Sequence, residues 1–206
     1  DQLNRDDINI ITVEDPVEIE LEGINQVNIN PEINFTFANA LRSILRQDPN
    51  IIMVGEIRDT ETAEIAVKAS LTGHLVLSTI HTNSSVKTIT RLIDMGIDGF
   101  LVASALSGVV AQRLIRVVCP HCSVEETPSK TEKELFDKHN VKVTKVRRAR
   151  GCPICGQKGY KGRTAIFEIL DINETVIKLF EMLTSTSSIP GSSTCWIPSP
   201  FISSQT

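Results

Sequence analysis

The sequence predicts an α/β fold, a parallel sheet with helices on both faces, with a small four-cysteine subdomain attached. Three observations predict it. Over residues 1–118, short apolar runs of strand length alternate with segments of helical periodicity, the pattern of right-handed strand–helix–strand crossovers. The run Ile51–Val54 is continuously apolar, as a central parallel strand covered on both faces requires. Cys119, Cys122, Cys152 and Cys155 form two C-x-x-C pairs downstream of that alternation.

The length of 206 residues and 41% hydrophobic content suit one globular domain plus a small appendage. No run approaches the ~18 apolar residues needed to cross a bilayer, and the charged start does not read as a signal peptide, so a cytoplasmic chain is expected. The net charge of −4 hides an asymmetry: residues 1–70 carry 14 acidic against 5 basic residues, and residues 129–170 carry 4 against 11. The basic stretch 142–150 reads as a solvated face of the cysteine subdomain that meets an acidic partner surface. Only Phe136 and Tyr160 lie near it, too few aromatics for a base-stacking platform, so no nucleic acid is expected as partner.

Taken in order, residues 8–13 form a strand whose end presents Glu14, Asp15 and Glu18, and Pro16 keeps the following acidic loop extended. Residues 23–30 alternate as a short surface strand. Phe37, Ala40, Leu41, Ile44 and Leu45 recur at helical spacing, which predicts an amphipathic helix over 36–47 ended by Asp48-Pro49. After the strand Ile51–Val54, Asp59 or Thr60 caps a helix burying Ala63, Ala66, Val67 and Leu71, with Gly73 at its C′ position. Residues 75–80 form a third core strand. Ser84 or Ser85 opens a helix through Val86, Ile89 and Ile93, and residues 100–114 read as a longer, nearly all-apolar helix.

From Cys119 the grammar changes. Residues 119–163 read as a tetracysteine subdomain interrupted by a polar excursion with a short helix over 131–139. Residues 164–170 return to the sheet, and a helix over 173–183 follows. Residues 184–206 carry no charge and are rich in Ser, Thr and Pro, so a disordered or aberrant tail is expected there.

Each C-x-x-C pair is short enough for both thiolates to reach one tetrahedral Zn²⁺. The 29 residues between the pairs cost little, because loop-closure entropy grows only logarithmically with length. The rivals are thiol redox chemistry, since both pairs are Cys-Pro-x-Cys, and disulfides. Two matched pairs without a thioredoxin-like setting favour Zn²⁺.

Glu56 follows the Ile51–Val54 strand at its C-terminal edge, where open α/β sheets place ligands. A carboxylate there can hold Mg²⁺ or polarise an attacking water, which is half of an ATP site. The other half, a Gly-x-x-x-x-Gly-Lys-Ser/Thr phosphate cradle, occurs nowhere in these 206 residues. The stretch 156–164 is a decoy: it has one residue too many, places Arg163 where the lysine belongs, and precedes a strand rather than opening a helix.

The runs 11–18, 45–59 and 72–83, followed by the two cysteine pairs, resemble in content and order the type II secretion and type IV pilus assembly ATPases. The resemblance covers about residues 3–183. It implies a partial RecA-like core lacking its first strand, phosphate loop and helix, so that the sequence begins just after the loop. It also implies a homo-hexameric ATPase on the cytoplasmic side of the inner membrane, working with an inner-membrane platform protein. Its cofactors would be ATP, Mg²⁺ and Zn²⁺. By resemblance, Glu56, Glu14 and Glu18 are catalytic, His81 and His74 belong to a phosphate-sensing histidine box, and Arg42, Arg46 and Arg58 act on phosphate across a subunit boundary. Asn50 departs from the aspartate more usual at its position. The competing reading is a catalytically inactive fragment or zinc-binding interaction module.

Overall fold

The computed structural model describes residues 2–185, with side chains through residue 180. All but the first two positions of the tail expected to be disordered therefore lie outside the described residues. The chain forms two compact units: residues up to Val109 together with the segment from Leu170 onward, and residues 110–169.

In the first unit, β1 (Ile10–Glu14), β2 (Asn25–Asn28), β3 (Ile51–Val54) and β4 (Leu75–Ser78) form a four-stranded sheet in the order β2-β1-β3-β4. Every pairing is parallel. Val13 lies opposite Val54, and Val54 opposite Ser78, so the C-terminal ends of β1, β3 and β4 finish level with one another. That alignment gathers the residues after three separate strands along one edge.

Helix α1 (Phe37–Ile44) starts where the Thr36 hydroxyl accepts the Asn39 N–H and continues as a 3-10 turn, Leu45–Gln47. Asp48 then turns into the left-handed region at φ 49°, which stops the helix ahead of Pro49. Helix α2 (Thr60–Leu71) is capped by Asp59, whose carboxylate accepts both the N–H and the hydroxyl of Thr62, and it ends at Gly73 with φ 102°. Helices α3 (Ser85–Asp94) and α4 (Gly99–Ala105) begin at Ser84 and Asp98.

Ile11, Val13, Ala40, Leu41, Ile44, Ile52, Val54 and Ala69 make one core, between the sheet and its helices. Ala63, Val67, Ile89, Leu92, Met95, Ile97, Val102 and Ile172 make a second. Leu41 is fully buried, so Leu41→Ala is expected to cost about 2–5 kcal/mol in a denaturant titration, through lost transfer energy and the cavity left behind.

Four expectations for this part of the chain are corrected; the first is that helix α2 buries Ala63, Ala66 and Val67 but leaves Leu71 42% exposed at its end. Strand β4 is an edge strand among the described residues, with Leu75 and Leu77 45% and 42% exposed; an apolar run signals a strand but not neighbours on both sides. Helix α3 buries Ile89 and Leu92 and exposes Val86 and Ile93, because the face is set by packing against α4 rather than by the apolar count alone. The helix expected over 100–114 stops at Ala105, and β5 (Gly108–Val118) follows. Gly108 and the β-branched Val109, Val110, Ile115, Val117 and Val118 favour extended backbone, a choice that apolarity by itself leaves ambiguous.

Strand β5 pairs with β8 (Tyr160–Asp171) in a two-stranded sheet. The segment 164–170 thus belongs to this ribbon and does not return to the parallel sheet, since periodicity marks a strand without naming its partner. Helix α6 (Glu174–Ser185) follows and packs with α4 in the second core.

The second unit also contains β6 (Val124–Glu126) paired antiparallel with β7 (Val146–Arg148), and helix α5 (Lys130–Lys138). Its basic stretch is met from within. Lys145 and Arg147 pair with Glu125, Arg148 and Arg150 with Glu126, and Arg148 forms a two-pronged bridge to Glu132 at 2.7 and 2.5 Å. Four of the five basic side chains in 142–150 thus meet carboxylates of the subdomain itself.

Glu132 also accepts the N–H and hydroxyl of Ser129 in a capping box at the start of α5. Arg148 above all, and then Ser129, hold its carboxyl down to about 2. A depressed folded-state value stabilises above the ordinary carboxyl range, and the contribution is lost as pH falls through about 2. Glu132→Gln should therefore speed amide exchange in α5 at neutral pH, with the difference from wild type shrinking as the pH approaches that value.

Candidate functional site

The level strand ends open onto a cavity of about 410 Å³ lined by Glu14, Asp15, Glu18, Phe37, Gly55, Glu56 and Thr79, among others. Buried Val13 and Val54 anchor the backbone immediately before Glu14 and Gly55. The Gly55 N–H donates to the Val13 carbonyl at 2.8 Å, the Thr79 hydroxyl donates to the Gly55 carbonyl at 2.7 Å, and the Ile57 N–H donates to the Thr79 carbonyl at 3.0 Å. Glu56 is thus pinned on both sides by neighbouring strand ends. A Cβ on Gly55 would sit 3.2 Å from the Val13 carbonyl oxygen, a tight contact, so the close approach of β1 and β3 at this edge favours glycine.

The Glu56 side chain is only 13% exposed. Its Oε2 accepts the Arg58 Nε–H at 2.5 Å and lies 3.2 Å from His81 Nε2. Arg58 and His81 are themselves 69% and 80% exposed, so solvent screens both contacts and they matter for orientation more than for stability. Four carboxylates, Glu14, Asp15, Glu18 and Glu56, face one cavity without a lysine or arginine among its lining residues. Among the described residues their oxygens do not converge as the cysteine sulfurs do, so the cavity offers a concentration of negative charge rather than a formed metal cage.

In the second unit the four cysteines converge. All four Sγ atoms lie within 4.8 Å of one another, with Cys119–Cys152 at 4.0 Å, Cys122–Cys155 at 3.9 Å and Cys152–Cys155 at 3.7 Å. Bonds of ~2.3 Å from a tetrahedral zinc put sulfurs about 3.8 Å apart, so the donor set fits that ion. None is disulfide-bonded, and one four-membered cluster is more than either redox pair would need. Backbone N–H groups of Gly151, Cys152 and Gly159 point at Cys122 or Cys155 sulfur at 3.2–3.3 Å. Burial raises the Cys155 thiol, but the N–H groups of Cys152 and Gly159 together with the Cys152 and Cys122 side chains outweigh it and bring it down to about 6. Burial pushes Cys122 up to about 11.

Residues 1–191 match the sequence model of the type II/IV secretion system proteins. The chain belongs to that family. It is 53% identical over 178 residues to the type II secretion system ATPase E of Vibrio cholerae, covering 86% of this chain and 35% of that protein. It is 51% identical over 172 residues to the type IV pilus assembly ATPase PilB of Thermus thermophilus, covering 82% of this chain and 19% of that protein. Against the crystal structure of the pilus retraction motor PilT with bound ADP, the TM-score is 0.61 at 28% identity, over 91% of this chain and 46% of that one. The chain spans about a third of the length of several curated relatives in the family, 35%, 34% and 32% in three cases.

Within this family member, the fold brings together Glu14, Glu18 and Glu56 around the cavity and sets His81 against Glu56. His74 is elsewhere, before the N-terminal end of β4, where its Nδ1 lies 3.0 Å from the Ala69 carbonyl at the end of α2. Arg42 pairs with Glu61 of α2, and Arg46 donates to the Arg42 carbonyl one turn back on α1. Thr79 was not legible as a site residue, since a threonine after a strand is unremarkable until its hydroxyl is seen on Gly55.

Proposed function

We propose that this chain supplies the water-, metal- and phosphate-sensing side of the ATP site in a secretion or pilus-assembly ATPase. The complete protein would hydrolyse ATP to power assembly of a type II secretion pseudopilus or a type IV pilus. The observation that carries this reading is Glu56, nearly buried at the C-terminal edge of a parallel sheet and braced by the ends of β1 and β4. Similarity to proteins named as ATPases of these machines supports the choice of reaction.

In this reading Glu56 orients the attacking water and, with Glu14 and Glu18, holds the cation that accompanies ATP. Magnesium, when bound, would neutralise charge on the phosphates. His81, in contact with Glu56 and next to the cavity, senses the γ-phosphate, with His74 more remote. Arg42, Arg46 and Arg58 serve phosphate charge across a subunit boundary in a homo-hexamer, Arg42 and Arg58 leaving Glu61 and Glu56 to do so. The cysteine cluster holds a structural Zn²⁺. The hexamer acts at the cytoplasmic face of the inner membrane on a platform protein; no described helix is long and apolar enough to cross a membrane.

A phosphate cradle provides backbone N–H donors, a lysine and a hydroxyl, and those contacts dominate triphosphate affinity. The sequence motif of such a cradle does not occur in these 206 residues. Titrated with MgATP, the 206-residue chain alone should show no micromolar binding, and the full-length protein should bind and turn over ATP. Tight binding by the chain alone would mean the nucleotide site is misplaced. A full-length protein without turnover would favour the second reading, a zinc-binding interaction module, for which the self-contained cysteine cluster speaks.

A further inference from the structure

The Glu14 carboxylate is held by two side chains that the ATPase reading does not use. Thr12 and Glu14 share one face of β1, and Gln26 on β2 lies directly opposite Thr12 in the parallel register. The buried Thr12 hydroxyl donates to Glu14 Oε1 at 2.6 Å, and Gln26 Nε2 donates to the same oxygen at 3.1 Å. Both bonds fall on Oε1, which leaves Oε2 for the cavity that Glu14 lines.

We propose that Gln26 is a positioning residue that locks the Glu14 carboxylate and the acidic loop carrying Glu18 into one unit, with Thr12 as the second donor. The inference rests on the ATPase reading for what the unit is for. The second Nε2 proton of Gln26 goes to the Ile19 carbonyl at 3.1 Å, and its Oε1 accepts the Leu21 N–H at 2.7 Å. Two residues along the same strand face, Asn28 Oδ1 accepts the Val17 N–H at 2.7 Å. The loop between β1 and β2 therefore hangs from side chains of β2. Apolar packing does little for it, since Ile19 and Leu21 are 71% and 44% exposed.

A neutral amide is the side chain such a clamp needs. Glutamate at 26 would repel Glu14, and lysine would compete with a cation for its charge. Glutamine orients the carboxylate by a charge-assisted hydrogen bond and leaves its full negative charge available.

The test uses the full-length protein with Gln26→Leu and Thr12→Val, each close in size to the residue it replaces. Amide exchange around Ile19 and Leu21 should speed by about tenfold or more in Gln26→Leu, where the loop loses its two bonds to Gln26 and keeps the Asn28 bond to Val17, and stay near wild type in Thr12→Val. In both variants the Mg²⁺ concentration needed for half-maximal ATP turnover should rise about tenfold, from loss of a charge-assisted bond, with the KM for ATP within about twofold. A merely structural role would move the unfolding midpoint and leave that split unchanged. Unaltered loop exchange in Gln26→Leu overturns the clamp. So does an unaltered Mg²⁺ requirement in both variants where Glu56→Gln abolishes turnover. Absence of turnover in the wild type overturns the ATPase reading instead, and the exchange measurement still decides the clamp.

Discussion

Stripping zinc from the cysteine cluster with a chelator, or removing a ligand as in Cys152→Ser, is expected to unfold residues 110–169 while the parallel sheet persists. Within that unit the only buried apolar side chains are Cys119, Pro128 and Cys155. Its ribbon leaves Val110, Leu114, Ile166, Phe167 and Ile169 48% exposed or more, and a two-stranded ribbon is marginal alone. Little hydrophobic burial is thus available to offset the entropy of ordering the unit. Structural zinc contributes an apparent ~10–16 kcal/mol at neutral pH in comparable small sites, enough to decide whether such a unit folds. The first unit has two apolar cores of its own and does not depend on the metal. Purified, chelator-free protein should carry about one zinc per chain, and chelation should collapse amide protection across 110–169 but not in Ile51–Val54. Less than about 0.2 equivalents of zinc, or a ribbon that stays protected without metal, would contradict this.

The charged network around Glu132 does not rescue the unit in that experiment. Its ion pairs are largely solvent-exposed, and pairs of that kind contribute little to stability. Their effect is local: they set the α5 cap and tie β7 to it.

Much of this was legible in the sequence, for reasons that differ by element. Ile51–Val54 was readable as a buried strand because a four-residue apolar run between turn signals is of strand length, and the cysteine spacing was readable as metal-binding because the two thiolates of each pair can reach one ion. The Asp59 and Ser84 caps, Gly73 and the α5 region were readable from local chemistry. The α4–β5 boundary was not, because residues 100–114 are mostly apolar with no clear period and only the β-branched content from Val109 onward tips them to strand. The partner of β8 and the edge position of β4 are tertiary facts, invisible to a one-dimensional pattern. In the site, Glu14, Glu18, Glu56 and His81 could be singled out by position relative to strand ends. Thr12, Gln26 and Thr79 could not, because what marks them is a hydrogen bond between residues distant in sequence or hidden within a strand.

Replacing Glu56 by glutamine should cost the full-length protein about 10²–10⁴ in turnover. Glutamine preserves the size of the side chain and can still accept from Arg58, so the braced loop between β3 and β4 should keep its shape. In the proposed reading, what disappears is a negative charge beside the water and the cation, whose largest effect falls on the step in which the bond to the γ-phosphate breaks. Nucleotide affinity, dominated by a phosphate cradle elsewhere, should change by no more than about threefold. The decisive measurement is therefore ATP turnover and nucleotide affinity side by side in wild-type and Glu56→Gln full-length protein. The account predicts that turnover is lost while binding is kept. Turnover within about twofold of wild type would show that Glu56 neither orients the water nor holds the cation, and would overturn the assignment of this sheet edge as the catalytic side of the site.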